Sequence, residues 1–223
     1  MAFDFIAQQL AEHKNLHRYR QRQCISEQKG AKLVFEGKEY INFSSNDYLG
    51  LNQHPKINLA FQEGLEKFGA SSCSSSLVTG YTYAHQVLEN TICEWVNKPK
   101  CLLFNSGFSA NQGVLNALAN DNTQFWLDKL SHASIIDGVF SGKAKVKRFL
   151  HNDFKQLEQM LLKKTQENNV IISEGVFSMD GDQADVAKLQ YLAQQNNAWL
   201  YLDDAHSLGV IGEQGEGSSS LNN

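Results

Sequence analysis

An aspartate and a histidine three residues apart close the run Ala198-Trp199-Leu200-Tyr201-Leu202-Asp203-Asp204-Ala205-His206. An apolar stretch ending in an acid and an imidazole sets both groups at the rim of a sheet, where open α/β proteins bind ligands. Three other segments share this form. Residues 101–104 lead into Asn105-Ser106-Gly107-Phe108-Ser109-Ala110-Asn111. There a glycine at a helix mouth exposes backbone N–H groups to an anion. The same turn also reads as an ordinary β–α connection with positive φ at Gly107. His132 follows Asp128-Lys129-Leu130-Ser131. It is either a polar residue near a helix start or an imidazole able to stack on a flat ligand and exchange protons near neutral pH. Glu174-Gly175-Val176-Phe177-Ser178 follows the last such run and brings a carboxylate and a hydroxyl.

Rival chemistries fit less well. Ser109, Asp203 and His206 occur in hydrolase chain order, but Gly107-Phe108-Ser109-Ala110-Asn111 lacks the final glycine of a nucleophile elbow. An acid and a histidine only three apart are also poorly suited to triad geometry. Asp180, Asp182 and Asp185 lack the spacing of a calcium loop, and Asp203 with His206 lacks a third metal ligand, so no metal is expected. Sharing the carboxyl edge of one parallel sheet, the four strand ends would converge on an anion seat, a stacking ring, hydroxyl and imidazole donors and a carboxylate. That inventory suits a phosphorylated aromatic heterocycle with a basic ring nitrogen. A carboxylate beside such a nitrogen keeps it protonated, and a protonated ring is the better electron sink.

The elements that must position these groups follow from the hydrophobic pattern. Residues 1–23 read as an amphipathic helix with Phe3, Ile6, Leu10 and Leu16 on one stripe, and 32–43 as a hairpin turning at Glu36-Gly37-Lys38. From residue 84 strands and helices alternate. Strands are expected at 101–104, 124–127, 145–150, 170–173 and 199–202. Helices are expected at 84–97, 108–119, 132–141, 154–166 and 185–195. Such alternation means crossover connections, giving an α/β fold with a mainly parallel sheet and helices on both faces. The expected domains are an N-terminal helix and hairpin segment at 1–41 and a large ligand-binding domain at 42–223. The latter reads as interrupted at its C-terminal end, because no helix follows Gly209, Gly212, Gly215 and Gly217.

A net charge of −4 and a pI near 6.0 argue against nucleic-acid or anionic-membrane partners. Lys143, Lys145, Lys147 and Arg148 read as the wet face of a strand. Cys24, Cys73, Cys93 and Cys101 show no metal or redox spacing. With no basic leader and no long apolar run, a reduced, cytoplasmic protein is expected.

These segments resemble the α-oxoamine synthases, which belong to the fold-type I pyridoxal 5'-phosphate (PLP) enzymes. The resemblance runs through residues 42–51 (NFSSNDYLGL), 106–112 (SGFSANQ), 128–134 (DKLSHAS), 148–153 (RFLHND), 174–182 (EGVFSMDGD) and 203–217 (DDAHSLGVIGEQGEG). It implies PLP as cofactor, with Asp203 on the pyridine nitrogen and His206 and Ser178 at the ring's phenolic oxygen. Gly107 and Phe108 would frame the cofactor turn. His132 would stack on the ring and assist proton transfer, as the catalytic residue this chain holds. Arg20, Asn46 and His132 would bind substrate. The forms at 106–111 and 130–134 favour the branch that joins L-alanine to a pimeloyl thioester, on CoA or acyl carrier protein, with loss of carbon dioxide. The resemblance also implies a homodimer.

Two features depart from the family pattern. Residues 69–76 are serine-rich where relatives usually carry several glycines. The Schiff-base lysine of the family lies a few tens of residues beyond the Asp203 motif, and none of Lys143, Lys155, Lys163, Lys164 or Lys188 matches its position. This chain alone is therefore expected not to complete the reaction. The alternatives are another α-oxoamine synthase, of the 2-amino-3-ketobutyrate CoA ligase type, or a non-catalytic fragment or pseudo-subunit.

Overall fold

The computed structural model describes residues 2–222 and divides into two compact units, one ending at Phe61 and the other beginning at Gln62. In the first, α1 (Phe5–Asn15) is shorter than its sequence pattern suggests. His17 turns left-handed (φ 54°), and the N–H groups of Arg18 and Tyr19 both close onto the His13 carbonyl, ending the helix. Residues 20–26, with Arg20 among them, carry no regular structure. An antiparallel meander follows: β1 (Glu27–Lys29), β2 (Lys32–Phe35) and β3 (Lys38–Ile41). The expected hairpin is β2–β3. Its turn, Glu36-Gly37, has positive φ at both residues, as a two-residue hairpin loop requires. Beyond it, Asp47 Oδ1 accepts the Leu51 N–H at 2.8 Å and shapes the turn that carries Asn46.

After α2 (Pro55–Phe68), the serine-rich loop of the second unit holds Cys73 at φ 61°, a conformation costly for any side chain. Cys73→Gly is expected to stabilise the unit by about 1 kcal/mol, read by urea unfolding. A loss of stability would mean that the Cys73 side chain contributes more than its backbone costs.

The regular part comprises α3 (Tyr83–Trp95), α4 (Gly107–Leu118), β4 (Thr123–Asp128), α5 (Ala133–Phe140), β5 (Lys145–Phe149), α6 (Phe154–Leu161), β6 (Asn168–Glu174), α7 (Val186–Gln195) and β7 (Trp199–Asp203). The four strands form one parallel sheet in the order β5-β4-β6-β7, so the expected α/β architecture holds. Side chains alternate across it. Phe125, Leu127, Val170 and Ile172 pack with Leu115 of α4 and with Ile135 and Val139 of α5. Trp126 and Ile171 pack on the other face with Leu157 and Leu161 of α6 and Leu189 and Leu192 of α7. Both faces are thus covered, as a parallel sheet demands. On β5 at the sheet edge, Lys145 and Lys147 are exposed as expected, and such charges blunt an open edge.

Two further expected elements differ. Residues 101–104 form no strand and find no ladder partner among the described residues; Leu102 stands 77% exposed. The helix expected over 154–166 stops at Leu161, because the chain must leave it to begin pairing at Asn168, whose N–H donates to Asn122 O at 3.0 Å.

The strand order sets the site. From β4 the chain passes to β5 on one side and then crosses back to β6 on the other. The carboxyl ends of β4 and β6 therefore flank a topological switch point, the usual position of a ligand crevice in such sheets.

Candidate active site

A cavity of about 540 Å³ opens at that edge. Gly107, Phe108, His132, Asp203 and His206, five residues singled out in the sequence, line it together. Ser178 is exposed in the turn after β6 and is not part of this lining. Arg20 and Asn46 belong to the first unit.

Each lining residue is placed by a local device. Gly107 and Phe108 open α4, whose N-cap Ser106 accepts the Ser109 N–H at 3.1 Å. The Ala110 N–H is taken by the Ser106 carbonyl, so the two N–H groups at the helix mouth are those left to face an anion. His132 is itself the N-cap of α5, its Nδ1 accepting the Ser134 N–H at 3.2 Å. Its own N–H donates to Glu174 Oε1 at 2.5 Å, tying the end of β4 to the end of β6. At the end of β7, Asp203 accepts from Asn111 Nδ2 at 2.8 Å and from the Ala205 N–H at 3.0 Å. Its neighbour Asp204, which also lines the cavity, accepts from Ser207 Oγ and from the hydroxyl and N–H of Ser218. Adjacent aspartates thus differ in their bonds: both line the cavity, but Asp203 is held by Asn111 while Asp204 holds down the glycine-rich turn.

Behind this rim His151 bridges Asp128 (Nδ1 to Oδ1, 3.1 Å) and Asp182 (Nε2 to Oδ2, 2.7 Å). Burial pulls the His151 pKa down, but the two carboxylates outweigh it and hold the ring above the usual imidazole value. Asp128 also accepts the N–H groups of Leu130 and Asn152, so this cluster shapes the loop that delivers His132.

Asn111, Ser134 and Tyr201 also line the cavity, and the sequence reading did not select them. Each left a signal. Asn111 lies one helical turn after Gly107, Ser134 two residues after His132, and Tyr201 two residues before Asp203 on the same strand face.

Glu174 is buried, and burial pushes its carboxyl up to about 7. Asp203 and Asp128 add to the rise, while the His132 N–H opposes it. Because the folded value lies above the ordinary 4.5, the stabilisation is complete below about 4.5 and is lost as pH rises through about 7. Glu174→Gln keeps an acceptor for the His132 N–H without the charge. It is expected to flatten the dependence of Tm on pH across that window and to raise Tm above wild type on the alkaline side. An unchanged pH profile would place the titration elsewhere.

The family description "Aminotransferase class I and II" matches residues 38–220, and the chain belongs to that family. Its parallel sheet flanked by helices matches the large domain of fold-type I enzymes. More particularly, it is 44% identical over 202 residues to the 8-amino-7-oxononanoate synthase of Salmonella paratyphi B, covering 91% of this chain and 52% of that protein. The Salmonella typhimurium enzyme of the same name matches to the same extent. Among solved structures it superposes on a Sphingomonas wittichii serine palmitoyltransferase with a TM-score of 0.90 at 27% identity, over 100% of this chain and 57% of that one. The S. paucimobilis serine palmitoyltransferase, solved with a bound PLP–myriocin aldimine, gives 0.87 at 28% identity over 99% and 56%. An 8-amino-7-oxononanoate synthase from Francisella tularensis gives 0.69 at 31% identity over 81% and 49%. The chain spans about half the length of the curated relatives it matches.

Proposed function

We propose that this chain provides the cofactor-binding wall of a PLP-dependent α-oxoamine synthase that condenses L-alanine with a pimeloyl thioester in biotin biosynthesis. The carrying observation is the convergence of Asp203, His132, His206 and the helix mouth at Gly107 and Phe108 on one cavity. The donor set fits the cofactor. A fixed carboxylate at a strand end suits a ring nitrogen that must stay protonated, and free N–H groups at a helix mouth suit an anionic edge. When bound, PLP supplies the electron sink for a carbanion next to the amino-acid nitrogen.

On this reading Asp203 would hold the proton at the pyridine nitrogen, and His132 would lie against the ring face. His206 would donate toward the phenolic oxygen, while Arg20 and Asn46 would bind substrate; Ser178, exposed outside the cavity lining, takes no part in this reading. The lysine that the family resemblance requires is not among these 223 residues, the last lysine being Lys188. The proposal for this chain therefore concerns binding and orientation. A cytoplasmic homodimer completes the reading. The likeness to serine palmitoyltransferases supports a second reading, a sister synthase using another amino acid.

Titration of PLP into the purified chain, followed by circular dichroism in the cofactor's absorption band, tests the proposal. Saturable induced ellipticity at one site per chain is expected, and L-alanine should perturb it more than glycine or L-serine does. Absence of saturable binding would overturn the proposal, and a stronger response to serine would favour the sister synthase.

A further inference from the structure

Four side chains lining the cavity form one hydrogen-bonded chain whose direction follows atom by atom. Burial and the nearby Asp203 push the Tyr201 phenol up to about 12, so its hydroxyl keeps its proton and donates to Asn111 Oδ1 at 2.5 Å. The two Nδ2 protons of Asn111 go to Asp203 Oδ2 and to Ser134 Oγ, each at 2.8 Å. Reversing the amide would set its oxygen against the Asp203 carboxylate with no proton between them, so this orientation is the one that satisfies Asp203. Ser134 Oγ, accepting from Asn111, has its own proton left for His132 Nδ1 at 2.7 Å. The Ser134 N–H points at the same nitrogen, and a nitrogen faced by two donors carries no proton. Asn111 and Ser134 are 6% and 1% exposed, so water does not replace these bonds.

We infer that Asn111 is a positioning residue that fixes the Asp203 carboxylate and, through Ser134, sets His132 as the Nε2–H tautomer. The neutral ring then presents an N–H, and no lone pair, at the nitrogen turned away from Ser134. His132 is on this account a hydrogen-bond donor toward whatever occupies the cavity, and it does not abstract a proton through Nε2. That consequence for catalysis rests on the function proposed above; the tautomer does not.

The test is a long-range ¹H–¹⁵N correlation spectrum of the ¹⁵N-histidine-labelled chain, recorded above the imidazole titration. The His132 signals are assigned by their loss in His132→Gln. Wild type is expected to show the proton on Nε2. Asn111→Leu, of similar size but without donors, and Ser134→Ala are each expected to lower the Nε2–H to Nδ1–H ratio several-fold, with thermal melts establishing that both fold. Ser134→Thr, which keeps the hydroxyl, should restore the wild-type ratio. A wild-type proton on Nδ1, or a ratio unchanged in both folded variants, would overturn the inference. PLP affinity measured on the same proteins separates the two claims. No binding by any of them removes the proposed function and leaves the tautomer result standing, whereas intact binding with an unchanged tautomer removes only the inference.

Discussion

Asp203→Asn is expected to weaken PLP binding by about 10- to 100-fold while leaving the fold intact. A hydrogen bond involving a charged group contributes roughly 1.5–3 kcal/mol, and each tenfold in affinity corresponds to about 1.4 kcal/mol. The amide still offers an oxygen to the Ala205 N–H, which Asp203 now bonds at 3.0 Å. However, it cannot hold a proton on a ring nitrogen, and it meets Asn111 Nδ2 with either a neutral acceptor or a clashing NH2. Asp203→Glu should not rescue binding, because the added methylene displaces the carboxylate from Asn111. The measurement is the induced-dichroism titration, paired with a thermal melt. Unchanged affinity in a folded Asp203→Asn variant would remove Asp203 from the cofactor's contacts and with it the proposed orientation of the ring.

Gly175→Ala should destabilise the second unit by about 3 kcal/mol, at the upper end of what overpacking costs in a filled site. A Cβ at Gly175 would lie 2.1 Å from Asp204 Oδ1 and 2.2 Å from Ser218 Oγ. Those two groups are bonded to each other, and the Ser218 N–H donates to Asp204 Oδ2 at 3.0 Å. Relief therefore requires the glycine-rich turn to lift off the sheet edge. The Gly175 N–H also donates to the Asp203 carbonyl at 2.9 Å, so the disturbance reaches the candidate site directly. Urea unfolding measures the cost, and amide exchange at Ser218 reports whether the turn has lifted. A change below about 0.5 kcal/mol, the range of ordinary surface substitutions, would show that the turn yields freely.

Much of the site was legible because strand ends are legible. A short apolar run that leads to Asp203, to Glu174 or to Asp128 marks its own carboxyl end, and the parallel sheet does the rest. His132 was visible as the polar residue opening α5, and Gly107 as the mouth of α4. The strand expected at 101–104 failed on the same logic, since an apolar run specifies a strand only where a neighbour offers a ladder. Asn111 was hidden for a different reason. It sits inside a helix, where an asparagine ordinarily reads as a solvent-facing residue, and its worth depends on Ser134 of α5 and on Tyr201 and Asp203 of β7, two distant parts of the chain.

Side-chain chemistry and its placement at strand ends were thus determined by sequence alone, because hydrophobic periodicity and turn residues act over a few positions. Only tertiary structure decided which of two adjacent aspartates meets Asn111 and which the glycine-rich turn, that Glu174 titrates near neutral pH, and how the Tyr201–Asn111–Ser134–His132 chain is directed. Burial, and the pairing of groups 23 to 92 residues apart, set those properties, and neither is encoded in any local window.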